Sequence, residues 1–119
     1  MGKLLVHLTH GPEAPTRAAL AFLVARSAVD EGHEVTMFLA GDSVQLLRGA
    51  VVDSLHGLGT GALREHVDAI IEAGVPIYAS GMSSKARGLV ANDVPFPLEM
   101  ATPARLVQLT FEADRVLTY

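Results

Sequence analysis

The feature that most constrains this chain is a series of short apolar segments separated by stretches of helix length. Three of them, Lys3–Thr9, Val35–Ala40 and Val75–Ala79, have the length and the leucine-rich or β-branched content of buried strands. Strands that are apolar along nearly their whole length are typical of parallel sheets that helices cover on both faces. The alternation therefore predicts an α/β fold around a mainly parallel sheet, to which Leu98–Met100 and Arg115–Tyr119 are expected to add strands.

The intervening helices are marked by capping residues or proline at their starts and by glycine after their ends. Pro15 opens the first helix and Gly32 follows its end. Asp42 is placed to cap the second helix, and Thr102 precedes the proline that opens the last. The segment Gly57–Gly61 is expected to be a flexible connection. In chain order, the predicted helices cover residues 15–31, 44–52, 63–73, 83–90 and 103–113.

Composition limits the classes of protein to which the chain can belong. Of its 119 residues, 50% are apolar and 18% are charged, which predicts one folded domain over residues 1–119. A formal charge of −4 without a cluster of Lys and Arg argues against nucleic acid or an anionic membrane as partner. No apolar run approaches the roughly 18 residues that span a bilayer. Because the N-terminus also lacks a signal-peptide pattern, we expect a cytoplasmic protein.

The residue types present leave few kinds of chemistry open. The chain has no cysteine, which excludes disulfides, zinc ribbons and thiol catalysis. Its five histidines show no metal-ligand spacing. The glycines at positions 57, 59 and 61 lie between two helices, whereas a dinucleotide fingerprint follows the first strand. We therefore expect neither a metal nor another cofactor.

The most distinctive segment is the predicted strand that ends at Ser80-Gly81 and leads into a hydroxyl-rich helix start. The carboxyl ends of neighbouring parallel strands meet at one edge of a sheet, where α/β proteins usually bind ligands. Hydroxyls and cations at such a place favour an anion, so we expect a small anionic ligand or the tail of a partner protein. The predicted ligand-binding residues are Thr9, His10, Asp42, Ser80, Gly81, Ser83, Ser84, Lys85 and Arg87.

Two other interpretations of the same segment stay open. Ser83 or Ser84 can simply cap the helix. Alternatively, Ser80 or Ser83 is a nucleophile or His10 an acid–base catalyst, although the segment lacks the second glycine of G-x-S-x-G and no neighbouring base is apparent. An imidazole within hydrogen-bond reach of one of these serines would favour the enzyme.

The first helix carries apolar residues on the side away from the sheet. At about 100° per residue, Leu20, Leu23 and Val24 fall opposite the face formed by alanines and Phe22. Such residues are either scattered surface positions or part of a contact between subunits.

Three segments together resemble the DsrE/DsrF-like family of small proteins related to sulfur relay. They are Gly32–Leu47 (GHEVTMFLAGDSVQLL), Gly74–Leu89 (GVPIYASGMSSKARGL) and Phe111–Tyr119 (FEADRVLTY), and the likeness extends over essentially the whole chain. The resemblance implies a three-layer α/β/α sandwich around a mainly parallel sheet of about five strands. It also implies homo-oligomers, commonly trimers or hexamers.

The resemblance also implies a position for sulfur chemistry. In the sulfur-handling members a cysteine just after the third strand carries a persulfide, and this position corresponds to Ser80. A second cysteine of some members corresponds to Ser83. A thiolate forms reversible bonds to sulfur, whereas a hydroxyl is barely ionised at neutral pH and cannot hold a transferable sulfur. We therefore expect an oligomer without persulfide transfer, or a cysteine-less scaffold subunit beside a sulfur-relay partner protein.

Overall fold

Five strands form one fully parallel sheet in the computed structural model, which describes every residue from Met1 to Tyr119. The order across the sheet is β6-β5-β2-β1-β7, and a separate two-stranded antiparallel hairpin consists of β3 and β4. The strands are β1 (Lys3–Leu8), β2 (Glu34–Leu39), β3 (His56–Gly57), β4 (Gly61–Ala62), β5 (Ile77–Ser80), β6 (Glu99–Ala101) and β7 (Arg115–Thr118).

The helices begin and end where local chemistry requires it. Pro15 occupies the first turn of α1, and Gly32 follows that helix with a φ of 87°, a conformation that only glycine adopts readily. Thr102 caps α5 by accepting the backbone N–H of Arg105 at 3.2 Å. The helices are α1 (Pro15–Asp30), α2 (Gly49–Ser54), α3 (Leu63–Glu72), α4 (Gly81–Ala86) and α5 (Pro103–Glu112), with 3₁₀ segments at Gly41–Leu47 and Ala91–Asp93.

Helices cover the sheet on both faces, as predicted, but unequally. The larger core lies between one face and helices α1 and α3, and Val6 and Leu8 of β1 point into it. The other face is covered by α5 alone, whose Leu109 packs against Leu5 and Phe38. The fold is thus the α/β/α sandwich expected from the resemblance, with a thin third layer.

Three local predictions were wrong. Asp42 caps no helix: it lies in the 3₁₀ segment, and α2 starts only at Gly49. The segment expected to be flexible contains the β3–β4 hairpin, held against α1 by a hydrogen bond from Leu58 N–H to Thr16 Oγ1. Helix α4 starts at Gly81 instead of Ser83, because the capping hydroxyl belongs to Ser80.

The apolar residues on the outer side of α1 do not form the exposed patch that their spacing suggested. Leu20, Leu23 and Val24 are each half-buried within the chain. The more exposed large apolar side chains lie on other elements, including Phe111 of α5, which is 86% exposed. None of the helices combines the length and the hydropathy that crossing a bilayer requires.

The chain order places a switch point between β1 and β7. From β1 the chain adds β2, β5 and β6 successively on one side, and then returns to add β7 on the other side of β1. In open α/β sheets, ligands bind outside the carboxyl ends of the strands at such a point. Here the β1–α1 connection lies on one side of it and the last residues of the chain, Thr118 and Tyr119, lie on the other.

Candidate functional site

The turn after β5 holds the distinctive serines. Ser80 is the last residue of β5 and the N-cap of α4, and its Oγ accepts the backbone N–H of Ser83 at 3.1 Å. This bond satisfies one of the amides that a helix start leaves without a partner. Because Ser80 is only 9% exposed, its hydroxyl is a structural cap facing the protein more than the solvent.

Ser83 joins α4 to the loop that follows β2. Its Oγ accepts the backbone N–H of Gly41 at 2.8 Å. Gly41 has a φ of 60° and begins the 3₁₀ segment Gly41–Leu47. The hydroxyl therefore fixes the distance between the carboxyl ends of the two neighbouring strands β2 and β5.

Arg87 makes a second link between the same two loops. Its Nη2 donates to Asp42 Oδ1 at 2.8 Å, and its Nη1 donates to the carbonyl oxygen of Ser83 at 3.1 Å. The carbonyl of Arg87 accepts a hydrogen bond from Arg48 Nη2 at 2.7 Å. The predicted cation is thus paired with a predicted acid, and the pair lies at the surface, since the side chain of Asp42 is 60% exposed.

The remaining residues of this turn differ in their surroundings. Ser84 is 2% exposed, and its Oγ has no hydrogen-bond partner. Lys85 is exposed and takes part in none of the ion pairs. Gly81, the first residue of α4, has Ala101 O as the nearest atom to an added Cβ, at 3.7 Å.

Thr9 and His10 belong to a second group of residues, on the other side of β1. Thr9 Oγ1 donates to the carbonyl oxygen of Tyr119 at 3.2 Å, and His10 Nε2 lies 3.0 Å from Arg17 Nη1. The two groups are neighbours because Gly11 lies against the backbone carbonyl of Asp42. The structure therefore brings Asp42, the serines and Arg87 together, but it does not place Thr9 and His10 among them.

An open cleft of about 940 Å³ lies at Thr9 and His10. Its other lining residues come from the first turns of α1 and from the end of the chain, at Thr118 and Tyr119. Sequence reasoning missed Arg17, the cation of this cleft. The sequence marked Arg17 only by its position, near the start of the helix that follows the first strand.

The hydrogen bonds offer no base for a serine nucleophile. None of the histidines bonds to Ser80, Ser83 or Ser84, and the hydroxyl near His10 is that of Thr9, 3.4 Å from its Nδ1. No group of three or more His, Asp or Glu side chains is arranged to hold a metal ion.

His7 is the histidine with a perturbed ionisation. It lies on the face of the sheet that α5 covers, with its ring edge against Phe38 at a centroid distance of 6.0 Å. Burial lowers the pKa of His7 below its ordinary value, and its Nε2 has no partner. Its environment explains a neutral ring in the folded protein, but gives it no part in the serine turn.

Similarity to known proteins covers the whole chain. A sequence model of the DsrE/DsrF-like family matches residues 2–119. Among curated proteins, the uncharacterized protein MK0008 of Methanopyrus kandleri is 33% identical over 117 residues, covering 98% of this chain and 93% of the relative. The uncharacterized protein MJ0989 of Methanocaldococcus jannaschii is 30% identical, with coverages of 98% and 99%.

Solved structures have the same fold. The YchN protein of E. coli superposes with a TM-score of 0.83 at 22% identity, covering 100% of both chains. Protein MTH1491 of Methanobacterium thermoautotrophicum superposes with a TM-score of 0.71 at 15% identity, again over 100% of both chains. At these identities the likeness establishes the architecture.

Proposed function

The chain belongs to the DsrE/DsrF-like family, and from this premise we propose that it is an oligomeric, cytoplasmic member that binds a ligand or partner without transferring persulfide sulfur. The observation that carries the proposal is the position of Ser80. Its hydroxyl closes the turn from β5 to α4, where the sulfur-handling members are expected to carry a thiol. The hydroxyl of Ser83 is equally engaged, with Gly41 N–H. Neither group supplies a reactive sulfur.

Incubation of the protein with a sulfane sulfur donor, followed by intact-mass measurement, tests the loss of sulfur transfer. We expect no mass increase of one sulfur atom, because the chain has no thiolate to accept it. A covalently sulfurated protein would contradict the proposal.

The binding part of the proposal places a small anion on Arg87. The carboxylate of Asp42, 2.8 Å from Arg87 Nη2, already occupies the position that an oxyanion would take. The pair is exposed, and exposed ion pairs contribute only about 0–1 kcal/mol. A ligand anion or the acidic tail of a partner can therefore replace the Asp42 carboxylate at little cost in stability.

Calorimetric titration with sulfate and phosphate tests this competition. Asp42→Asn should strengthen anion binding, because it removes the competing charge while keeping the shape of the side chain. Arg87→Gln should remove the binding that Asp42→Asn strengthens. Equal affinities in the wild type and both variants would show that the anion does not use Arg87.

Self-association is the other part of the proposal, as a trimer or hexamer. Its support is the apolar surface on α5 and the edge strand β7, where Val107 and Phe111 lie one helical turn apart and are 55% and 86% exposed. Val116 of β7 lies opposite Leu5, on the face of the sheet that α5 covers, and is 40% exposed. Apolar side chains of this size on neighbouring elements are typical of contact surfaces.

Sedimentation equilibrium tests the assembly and its surface. We expect the mass of a trimer or hexamer for the wild type and a lower mass for Phe111→Glu. Leu23→Glu is the matched variant on the half-buried side of α1. A monomeric wild type at micromolar concentration would contradict self-association. Co-purification with a cysteine-containing relative would instead favour the scaffold subunit.

A further inference from the structure

The cleft between β1 and β7 coincides with the switch point of the sheet. Its floor is formed by the hydrogen-bonded carboxyl ends of the two strands. Thr9 N–H donates to the carbonyl of Tyr119 at 2.8 Å, and Tyr119 N–H donates to the carbonyl of His7 at 2.8 Å. One wall is the β1–α1 loop, and the other is the first two turns of α1. A volume of about 940 Å³ is within the range of small-molecule sites.

Arg17, the cation of this cleft, takes part in none of the ion pairs at the surface of the protein. Arg17 contacts no carboxylate in the structure. The acid of the adjacent loop, Glu13, is used elsewhere, since its two oxygens accept the Gly11 N–H at 2.8 and 3.1 Å. The guanidinium of Arg17 therefore makes no ion pair with Glu13.

Arg17 lies against the ring of His10. Its Nη1 is 3.0 Å from Nε2 and 3.5 Å from Nδ1 of the imidazole, so the guanidinium contacts both ring nitrogens. The Nε and Nη2 donors of Arg17 make no hydrogen bond within the chain and remain for a ligand.

The rest of the lining is mixed, with Thr16 and Thr118 beside Ala14, Pro15, Leu20 and Tyr119. Leu20, one turn beyond Arg17, faces the cleft together with Pro15 and Tyr119. A planar guanidinium fork matches the paired oxygens of a carboxylate or a phosphate. We infer that this cleft is a second ligand site, in which Arg17 binds the oxyanion of a small carboxylate or phosphate monoester while Leu20 and Tyr119 contact its apolar body.

Calorimetry of the full-length chain with phenyl phosphate, benzoate and inorganic phosphate tests the inference. The ring of phenyl phosphate should make it bind more tightly than inorganic phosphate, and benzoate distinguishes a carboxylate site from a phosphate site. Arg17→Gln should weaken binding of the better aromatic probe at least about tenfold, the loss expected for a charge-assisted hydrogen bond. Leu20→Ala should reduce the advantage of phenyl phosphate over inorganic phosphate.

Two control variants separate this site from general charge effects and from the serine turn. Arg26→Gln removes the same charge from α1 outside the cleft, and Arg87→Gln alters the turn after β5. Arg26→Gln should change affinity for the aromatic probe by less than about twofold, and Arg87→Gln should leave the advantage of phenyl phosphate over inorganic phosphate unchanged. Absence of binding by the wild type, or equal losses in all three arginine variants, would overturn the inference. A loss confined to Arg87→Gln would also overturn it, while leaving the proposed anion site at the serine turn intact.

Discussion

Replacement by alanine should destabilise the protein at two of the three serines of the β5–α4 turn, Ser80 and Ser83, and stabilise it at the third, Ser84. Ser80→Ala removes the acceptor of the Ser83 amide at a position that is only 9% exposed. Loss of a serine N-cap costs about 0.5–2 kcal/mol, and the part-buried Ser83 amide left unpaired places this site in the upper half of that range. We expect a loss of about 1.5 kcal/mol in the free energy of unfolding.

Ser83 should behave like Ser80, and Ser84 should behave in the opposite way. Ser83→Ala leaves the Gly41 amide without its 2.8 Å acceptor, but alanine is the better helix former, so we expect a net loss of about 1 kcal/mol. Ser84 is 2% exposed with an unpartnered hydroxyl. Ser84→Ala removes a desolvated polar group and gains helix propensity, and it should raise stability by up to about 1 kcal/mol.

Urea unfolding followed by circular dichroism, at one protein concentration for all variants, measures these differences. For 119 residues the unfolding entropy is about 0.25 kcal/mol/K, so Ser80→Ala should also lower Tm by about 6 °C. The wild type and Ser54→Ala, on the exposed end of α2, are the references. If Ser80→Ala is as stable as the wild type while Ser84→Ala is destabilised, the assigned hydrogen bonds are wrong.

Two further predictions concern the neighbouring elements. Gly11→Ala should destabilise the protein by about 1–3 kcal/mol, because the added Cβ would lie 2.8 Å from the backbone carbonyl carbon of Asp42. Gly2→Ala is the control: its added Cβ would have no atom closer than 3.5 Å, so it should be neutral in the same urea titration. For His7, burial lowers the folded-state pKa, so the unfolded chain binds the proton more readily. Its contribution to stability is full above a pH of about 6.5 and is lost as the pH falls through the lower folded pKa. Unfolding at pH 7.5 and pH 5.5 should therefore show a smaller loss in His7→Gln than in the wild type, and identical losses would refute this role.

Elements governed by local chemistry could be predicted from the sequence. The strands around Val6, Met37 and Ala79 are recognisable because both of their faces are covered by helices or by neighbouring parts of the chain. The end of α1 at Gly32 and the cap at Thr102 follow from residues adjacent to the helix. The parallel order of the strands then follows from alternation with helices.

The features that were wrong or missed depend on contacts distant in sequence. Asp42 is an acceptable helix cap by itself, but Arg87, 45 residues away, takes its carboxylate. Ser80 caps α4, whereas the hydroxyl of Ser83 accepts the N–H of Gly41, 42 residues distant in sequence. Arg17 gained its place in a cleft only when β7 returned to the far side of β1. Sequence spacing contains no record of such pairings.

The most direct test of the central claim is to return the thiol to the β5–α4 turn. We propose that the turn has the backbone geometry of a sulfur-transfer site and lacks only the cysteine thiol, which Ser80 replaces. Ser80→Cys, treated with a sulfane sulfur donor and measured by intact mass, should gain one sulfur atom, because the Ser83 amide at the helix start stabilises a thiolate at position 80. Ser54→Cys, at an exposed position of α2, is the reference for an accessible thiol. A Ser80→Cys protein that folds yet gains no sulfur, while Ser54→Cys does, would contradict the account.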